Sequence, residues 1–143
     1  MSRLTLETLR HIVKRRVSGG GFDSLFKELK VLSGGNGNCQ CELKIHPALL
    51  NINGTLHGGV TASLVDAVST LAIMTTGKGL PGVSTDLNLS YLKPVKLDET
   101  IIIEAKTLTS GKLLAVATVD ILSKDSGMLI AQGRHSKFVG QKQ

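Results

Sequence analysis

The sequence has no tryptophan, one tyrosine and three phenylalanines among its 143 residues. Proteins that hold single-stranded nucleic acid need aromatic platforms for stacking, so this scarcity weighs against that role. Cysteine is almost as rare. Cys39 and Cys41 are separated by one residue; in a strand they share a face and lie too near in sequence for an ordinary disulfide. A reducing intracellular setting follows. A C-x-C pair without a second cluster is a poor zinc motif, and no metal is expected. A long uninterrupted apolar run is missing too. Residues 58 to 77 approach the length of a membrane span, but Asp66 and several Gly, Ser and Thr interrupt them. A buried central helix is expected there, and no membrane span. Nor does the start carry the continuous apolar stretch of a secretory signal.

Acidic residues are outnumbered, 11 against 17 Lys and Arg, giving a formal net charge of +6. That balance suits an anionic partner: nucleic acid, an acidic membrane surface or a small phosphate-bearing ligand. Part of the excess is Arg10, Lys14, Arg15 and Arg16; Lys93, Lys96, Lys112, Arg134 and Lys137 recur near predicted turns and strand ends. No nucleic-acid-binding motif accompanies the charge, so nucleic acid is not the expected partner.

The length fits one domain, residues 1–143, large enough to bury a core. Residues 1–17 read as an amphipathic helix, with Leu6, Leu9, Ile12 and Val13 on one stripe. It is either a surface helix packed on the domain or an Arg-rich mitochondrial presequence, against which Glu7 counts. "SGGGF" ends it. Two strands then flank a Gly/Asn turn, the second alternating Cys39, Cys41, Leu43 and Ile45 against Gln40, Glu42 and Lys44. From about Gly58 to Thr76, Val60, Leu64, Val68 and Leu71 recur at helical spacing, with Val65, Ala72 and Ile73 widening the apolar surface. So little polar surface implies burial on most sides. Four more strands follow from Gly82 onward, "TSGK" making a hairpin turn between two of them. The α+β arrangement implied is one antiparallel sheet of six strands, curved around the long helix.

Two positions on that helix bear on chemistry. The first turn of a helix offers free N–H groups and the positive end of a dipole. Gly58, without a side chain, can bring its N–H close to a carbonyl, or it is simply a glycine that starts a helix. Asp66 is a lone carboxylate on an apolar helix, and such groups are usually paired or used. It follows His57 by nine residues, half a turn out of helical phase, which favours a site shared between Gly58 of one subunit and Asp66 of another. Asn51 and His57 flank the loop into the helix. Asn51 is also a common turn residue, and His57 also suits a helix start with only a packing role.

The ordered stretches "GTLHGG", "LVDAVST", "PGVSTDLNLSYLKP", "AKTLTSGKLLA" and "LIAQGRHSK" resemble the hot-dog-fold acyl-coenzyme A thioesterases of the phenylacetate-degradation type. The resemblance covers about residues 51 to 137. It implies a hot-dog fold with the N-terminal helix outside, and hydrolysis of fatty acyl-CoA thioesters of medium to long chain. It further implies a homotetramer, a dimer of dimers with sites at the dimer interface, in the cytoplasm, the mitochondrion or both. No separate cofactor is implied, coenzyme A being part of the substrate. By the same resemblance Asp66 is the base or nucleophile, Gly58 N–H the oxyanion donor, and Asn51 holds the thioester or the water. His57 lies beside the carbonyl and Ser84 orients the attacking water. Coenzyme A would lie against Ser84, Asp86, the run Tyr91, Leu92, Lys93, Pro94, Val95 and Lys96, the turn Thr109, Ser110, Gly111, Lys112, Leu113 and Leu114, and Phe138. Ser84 lacks the G-x-S-x-G surroundings of a serine hydrolase, so a Ser84–His57–Asp66 triad is not expected. Two other readings stand beside hydrolysis: a hot-dog dehydratase acting on acyl thioesters, and a non-catalytic acyl-CoA-binding scaffold.

Overall fold

The computed structural model describes residues 4–140. Helix α1, Leu6–Ser18, starts where the Thr5 hydroxyl accepts the N–H of Thr8, so the expected helix over 1–17 begins later; residues 1–3 lie outside the described part. Its buried residues, Leu9 and Val13, belong to the main core, which makes α1 a packed outer helix. A short 3-10 turn, Phe22–Phe26, follows the glycines and buries Phe26.

Six strands follow in chain order: β1 Lys30–Gly35, β2 Asn38–Lys44, β3 Val83–Tyr91, β4 Thr100–Ser110, β5 Leu114–Ser123 and β6 Leu129–Phe138. Helix α2, Gly58–Met74, lies in sequence between β2 and β3. The sheet order is β1-β2-β4-β5-β6-β3, every pair antiparallel. β3 therefore skips its sequence neighbour and pairs with the last strand at the sheet edge.

One helix touches all six strands, which a flat sheet could not arrange. Register shifts in β1, β3, β4 and at the β5–β6 pair, such as that between Ser84 and Asp86, supply the bends. Eleven of the 17 residues of α2 are buried, and Leu64, Val65, Val68 and Leu71 each contribute about 1.5–3 kcal/mol by leaving water. Gly133 lets the helix come close: a Cβ there would stand 2.9 Å from Val65 Cγ1 and 3.1 Å from the Asn88 carbonyl. The remaining surface of α2 is a stripe in which Gly59 and Asp66 are exposed and Ala62, Ser63 and Ala67 half-buried.

Candidate functional site

At the N-terminus of α2, His57 is the cap residue: its Nδ1 accepts the Gly59 N–H at 2.9 Å. In the neutral ring that leaves the proton on Nε2. The next carbonyl is held as well, because the Tyr91 hydroxyl donates to Gly58 O at 2.7 Å. The Gly58 N–H, by contrast, donates to no protein acceptor among the described residues. Asn51 organises the preceding loop. Its Oδ1 accepts the N–H groups of Asn53 and Thr55, and its Nδ2 donates to Thr55 Oγ1 at 2.9 Å. These groups open onto a groove of about 550 Å³ lined by Asn51, Leu56, His57, Gly58, Tyr91, Leu92, Lys93, Pro94 and Val95, among others.

Asp66 is absent from that groove. It stands eight residues beyond Gly58, about 12 Å along the helix. Asp66 shares the exposed stripe of Gly59, so axial rise, not the half-turn of phase expected from His57, separates it from the helix start. The Asp66 side chain is 51% exposed and turns Oδ1 inward, 3.9 Å from His135 Nε2 and 3.5 Å from Thr70 Oγ1.

Behind Asp66 lies a buried polar chain. Its key member, His135, was singled out by no sequence argument. It is fully buried, with Nδ1 2.7 Å from Ser69 Oγ and Nε2 2.7 Å from Ser84 Oγ. With the Ser69 proton directed to the Asp66 carbonyl at 3.1 Å, Ser69 accepts from His135 Nδ1–H. The Ser84 hydroxyl then donates to Nε2 and keeps its lone pairs free. Burial lowers the His135 pKa below the ordinary histidine value; Asp66 and Asp86 oppose that shift and Lys137 adds to it. A neutral imidazole fits this hydrogen-bond chain, accepting at one ring nitrogen and donating at the other. One sequence signal was available: in "GRHSK", His135 and Lys137 occupy the inward parity of β6 with Ala131 and Gly133.

The remaining predicted residues divide between the two ends of α2, which is roughly 25 Å long. Tyr91, Leu92, Lys93, Pro94 and Val95 line the groove at Gly58, while Lys96 lies just outside it and gives its N–H to Glu99. Ser110, Gly111 and Lys112 line a second groove of about 520 Å³ with Lys78 and Ile73, beside the helix C-terminus. Thr109 and Leu114 pair with Val116 and Phe138 on neighbouring strands near that end, and Leu113 is exposed beside them. Phe138 itself pairs with Val83 and Leu114. Asp86 follows the bulge after Ser84 and accepts from Asn88 Nδ2 at 3.1 Å. One chain therefore does not bring the Tyr91 run and the Ser110 turn together.

Among the described residues no cluster of three or more His, Cys, Asp or Glu could hold a metal ion, and no helix is long and apolar enough to cross a membrane. Hydrogen bonding to Cys39 and burial push the Cys41 thiol up, which leaves it unreactive.

The family model described as "Thioesterase superfamily" matches residues 53–130. Acyl-coenzyme A thioesterase 13 of Mus musculus is 45% identical over 140 residues, covering 98% of this chain and 99% of that protein. The crystal structure of zebra fish thioesterase superfamily member 2 superposes with a TM-score of 0.93 at 47% identity, covering 96% of this chain and 99% of that one. A hypothetical thioesterase protein from Streptococcus pneumoniae, solved with coenzyme A, matches with a TM-score of 0.79 at 26% identity over 91% of this chain and 99% of its own.

Proposed function

The chain belongs to the thioesterase superfamily, and from that membership and the geometry above we propose that it hydrolyses fatty acyl-coenzyme A thioesters of medium to long chain. The carrying observation is the Gly58 N–H, which has no protein acceptor among the described residues and stands at the positive end of a 17-residue helix beside a groove. Such a donor stabilises the oxyanion that forms when a thioester carbonyl is attacked.

The attacking water is held by Asp66 and Ser84. Asp66 takes its proton as the oxygen–carbon bond forms, and the proton then passes to the departing thiolate of coenzyme A. His57 closes the first turn and presents Nε2–H beside the carbonyl; Asn51 shapes the loop that carries both. Coenzyme A is substrate and product, and no other cofactor enters.

The site is shared between copies. Two observations support this: the axial distance from Gly58 to Asp66, and β3, an edge strand with eight of its nine residues exposed. Val83, Leu87 and Tyr91 stand exposed along that edge, which suits pairing with a second copy, and a homotetramer would be two such dimers. Pairing there would bring the Tyr91 run of one chain toward Ser84, Asp86, Lys112 and Phe138 of the other, forming one bed for coenzyme A. The free, buried thiols of Cys39 and Cys41 fit a reducing compartment, the cytoplasm or the mitochondrion.

The Ser84–His135 contact favours one second reading, a serine nucleophile activated by a neutral histidine. Thiol release from a long-chain acyl-CoA, followed with the parent, Asp66→Ala and Ser84→Ala, separates the two. Water attack gives near loss in Asp66→Ala, a partial loss in Ser84→Ala and no acyl adduct on the intact protein by mass spectrometry. A trapped adduct on Ser84 replaces this mechanism with the serine one. A parent that releases no thiol across chain lengths ends the hydrolase reading, and a product with an altered double bond turns it to dehydration.

A further inference from the structure

Lys137 is a lysine on the wrong side of its strand. It lies on the inward face of β6 after Ala131, Gly133 and His135, and it is only 5% exposed. Among the described hydrogen bonds its ammonium makes one, to Thr70 Oγ1 at 2.7 Å. Three donors on a buried cation with one acceptor is an expensive arrangement, and a methionine of similar length would pack there at lower cost. Packing alone gives no reason for a charge at this place.

The hydrogen bonds suggest one. Thr70 points its single proton at Asp66, chiefly at the backbone carbonyl at 2.7 Å, and its oxygen accepts from Lys137. The same proton is shared more weakly with Asp66 Oδ1 at 3.5 Å, a three-centre bond that ties Thr70 to the carboxylate. Lys137 is thus a cation placed behind the carboxylate, across the helix from solvent. We infer that Lys137, acting through Thr70, is a positioning residue for Asp66: it draws Oδ1 inward and so leaves Oδ2 aimed outward at the reacting water.

Other charged or titratable groups face this cluster. His135 meets Asp66 from β6, Asp86 acts on His135 from β3, and Arg16 acts on Lys137 from α1. Burial lowers the Lys137 pKa, and Asp66 is the group that raises it again, which agrees with a direct electrostatic link between the two. The inference rests on Asp66 acting as the base in thioester hydrolysis.

The test uses the full chain and four variants: Asp66→Asn, Lys137→Met, Thr70→Val and Thr70→Ser. Thermal midpoint and oligomeric state are checked before kinetics. The expected result is a kcat lower by roughly ten- to a hundredfold in Lys137→Met and Thr70→Val, with KM within about twofold, because a misaimed base leaves substrate binding intact. Thr70→Ser, which restores the hydroxyl, returns kcat to near the parent value. The inference is overturned if Lys137→Met and Thr70→Val keep the parent kcat while Asp66→Asn loses it, or if KM moves in place of kcat. Should Lys137→Met fail to fold, the Val-against-Ser contrast at Thr70 decides alone. A parent without thiol release, or an Asp66→Asn variant as active as the parent, sinks the reading of Asp66 as base instead.

Discussion

At the scale of single residues, the site holds two histidines with opposite duties. His57 is exposed and structural at one nitrogen, since its Nδ1 caps Gly59. His57→Ala is expected to cost about 1 kcal/mol of stability, the usual loss for an N-cap side chain, read as a lower urea midpoint. His135 is buried, and that burial holds its pKa below the ordinary 6.5. The unfolded chain therefore takes up a proton before the folded one does, and stability rises with pH through that window. It is fully present above the ordinary histidine value and is lost as pH falls toward the lowered one. Urea unfolding between about pH 8 and pH 5 should show this slope, and His135→Gln should flatten it; an unchanged slope would place the dependence on other groups.

At the scale of elements, the contact between α2 and β6 depends on the missing side chain at Gly133. Gly133→Ala should destabilise by about 1–3 kcal/mol, because Val65 and the Asn88 carbonyl must give way together; a thermal midpoint equal to the parent's would show that the helix has room to shift. Most elements here were legible in the sequence. The alternation of Cys39, Cys41 and Leu43 and the spacing of Val60, Leu64, Val68 and Leu71 are local patterns, and local burial follows them. Strand order was not legible. Alternation tells which face of β3 is which, but not that its partner is β6, some fifty residues away by the Val83–Phe138 pairing. The same limit hid part of the site. Gly58 and Asp66 stand out on their own helix, whereas the contacts His135–Ser84 and Lys137–Thr70 join β6 to segments distant in sequence. A polar pair on the buried parity of a strand was the only local sign of them.

At the scale of the whole molecule, a shared site makes a prediction that no single-chain site can meet. Gly58 is the first residue of α2, where proline is tolerated and lacks the N–H. Gly58→Pro and Asp66→Ala should each be inactive alone. Refolded together, they should recover about a quarter of parent activity, because random pairing in a two-fold dimer leaves one intact site in half of the dimers. No recovery in confirmed mixed dimers would put the whole site in one chain. Leu87→Lys, on the exposed edge of β3, should shift the chain toward monomer in sedimentation and lower thiol release with it. The place of β3 beside β6 also bears on how the chain is born. A ribosome releases α2 long before the strand that must dock over Ser69 and Thr70 has been made. Until that strand emerges, an apolar helix stands only partly covered and β3 has no partner, so a nascent chain stalled before about residue 129 is a natural client for a chaperone.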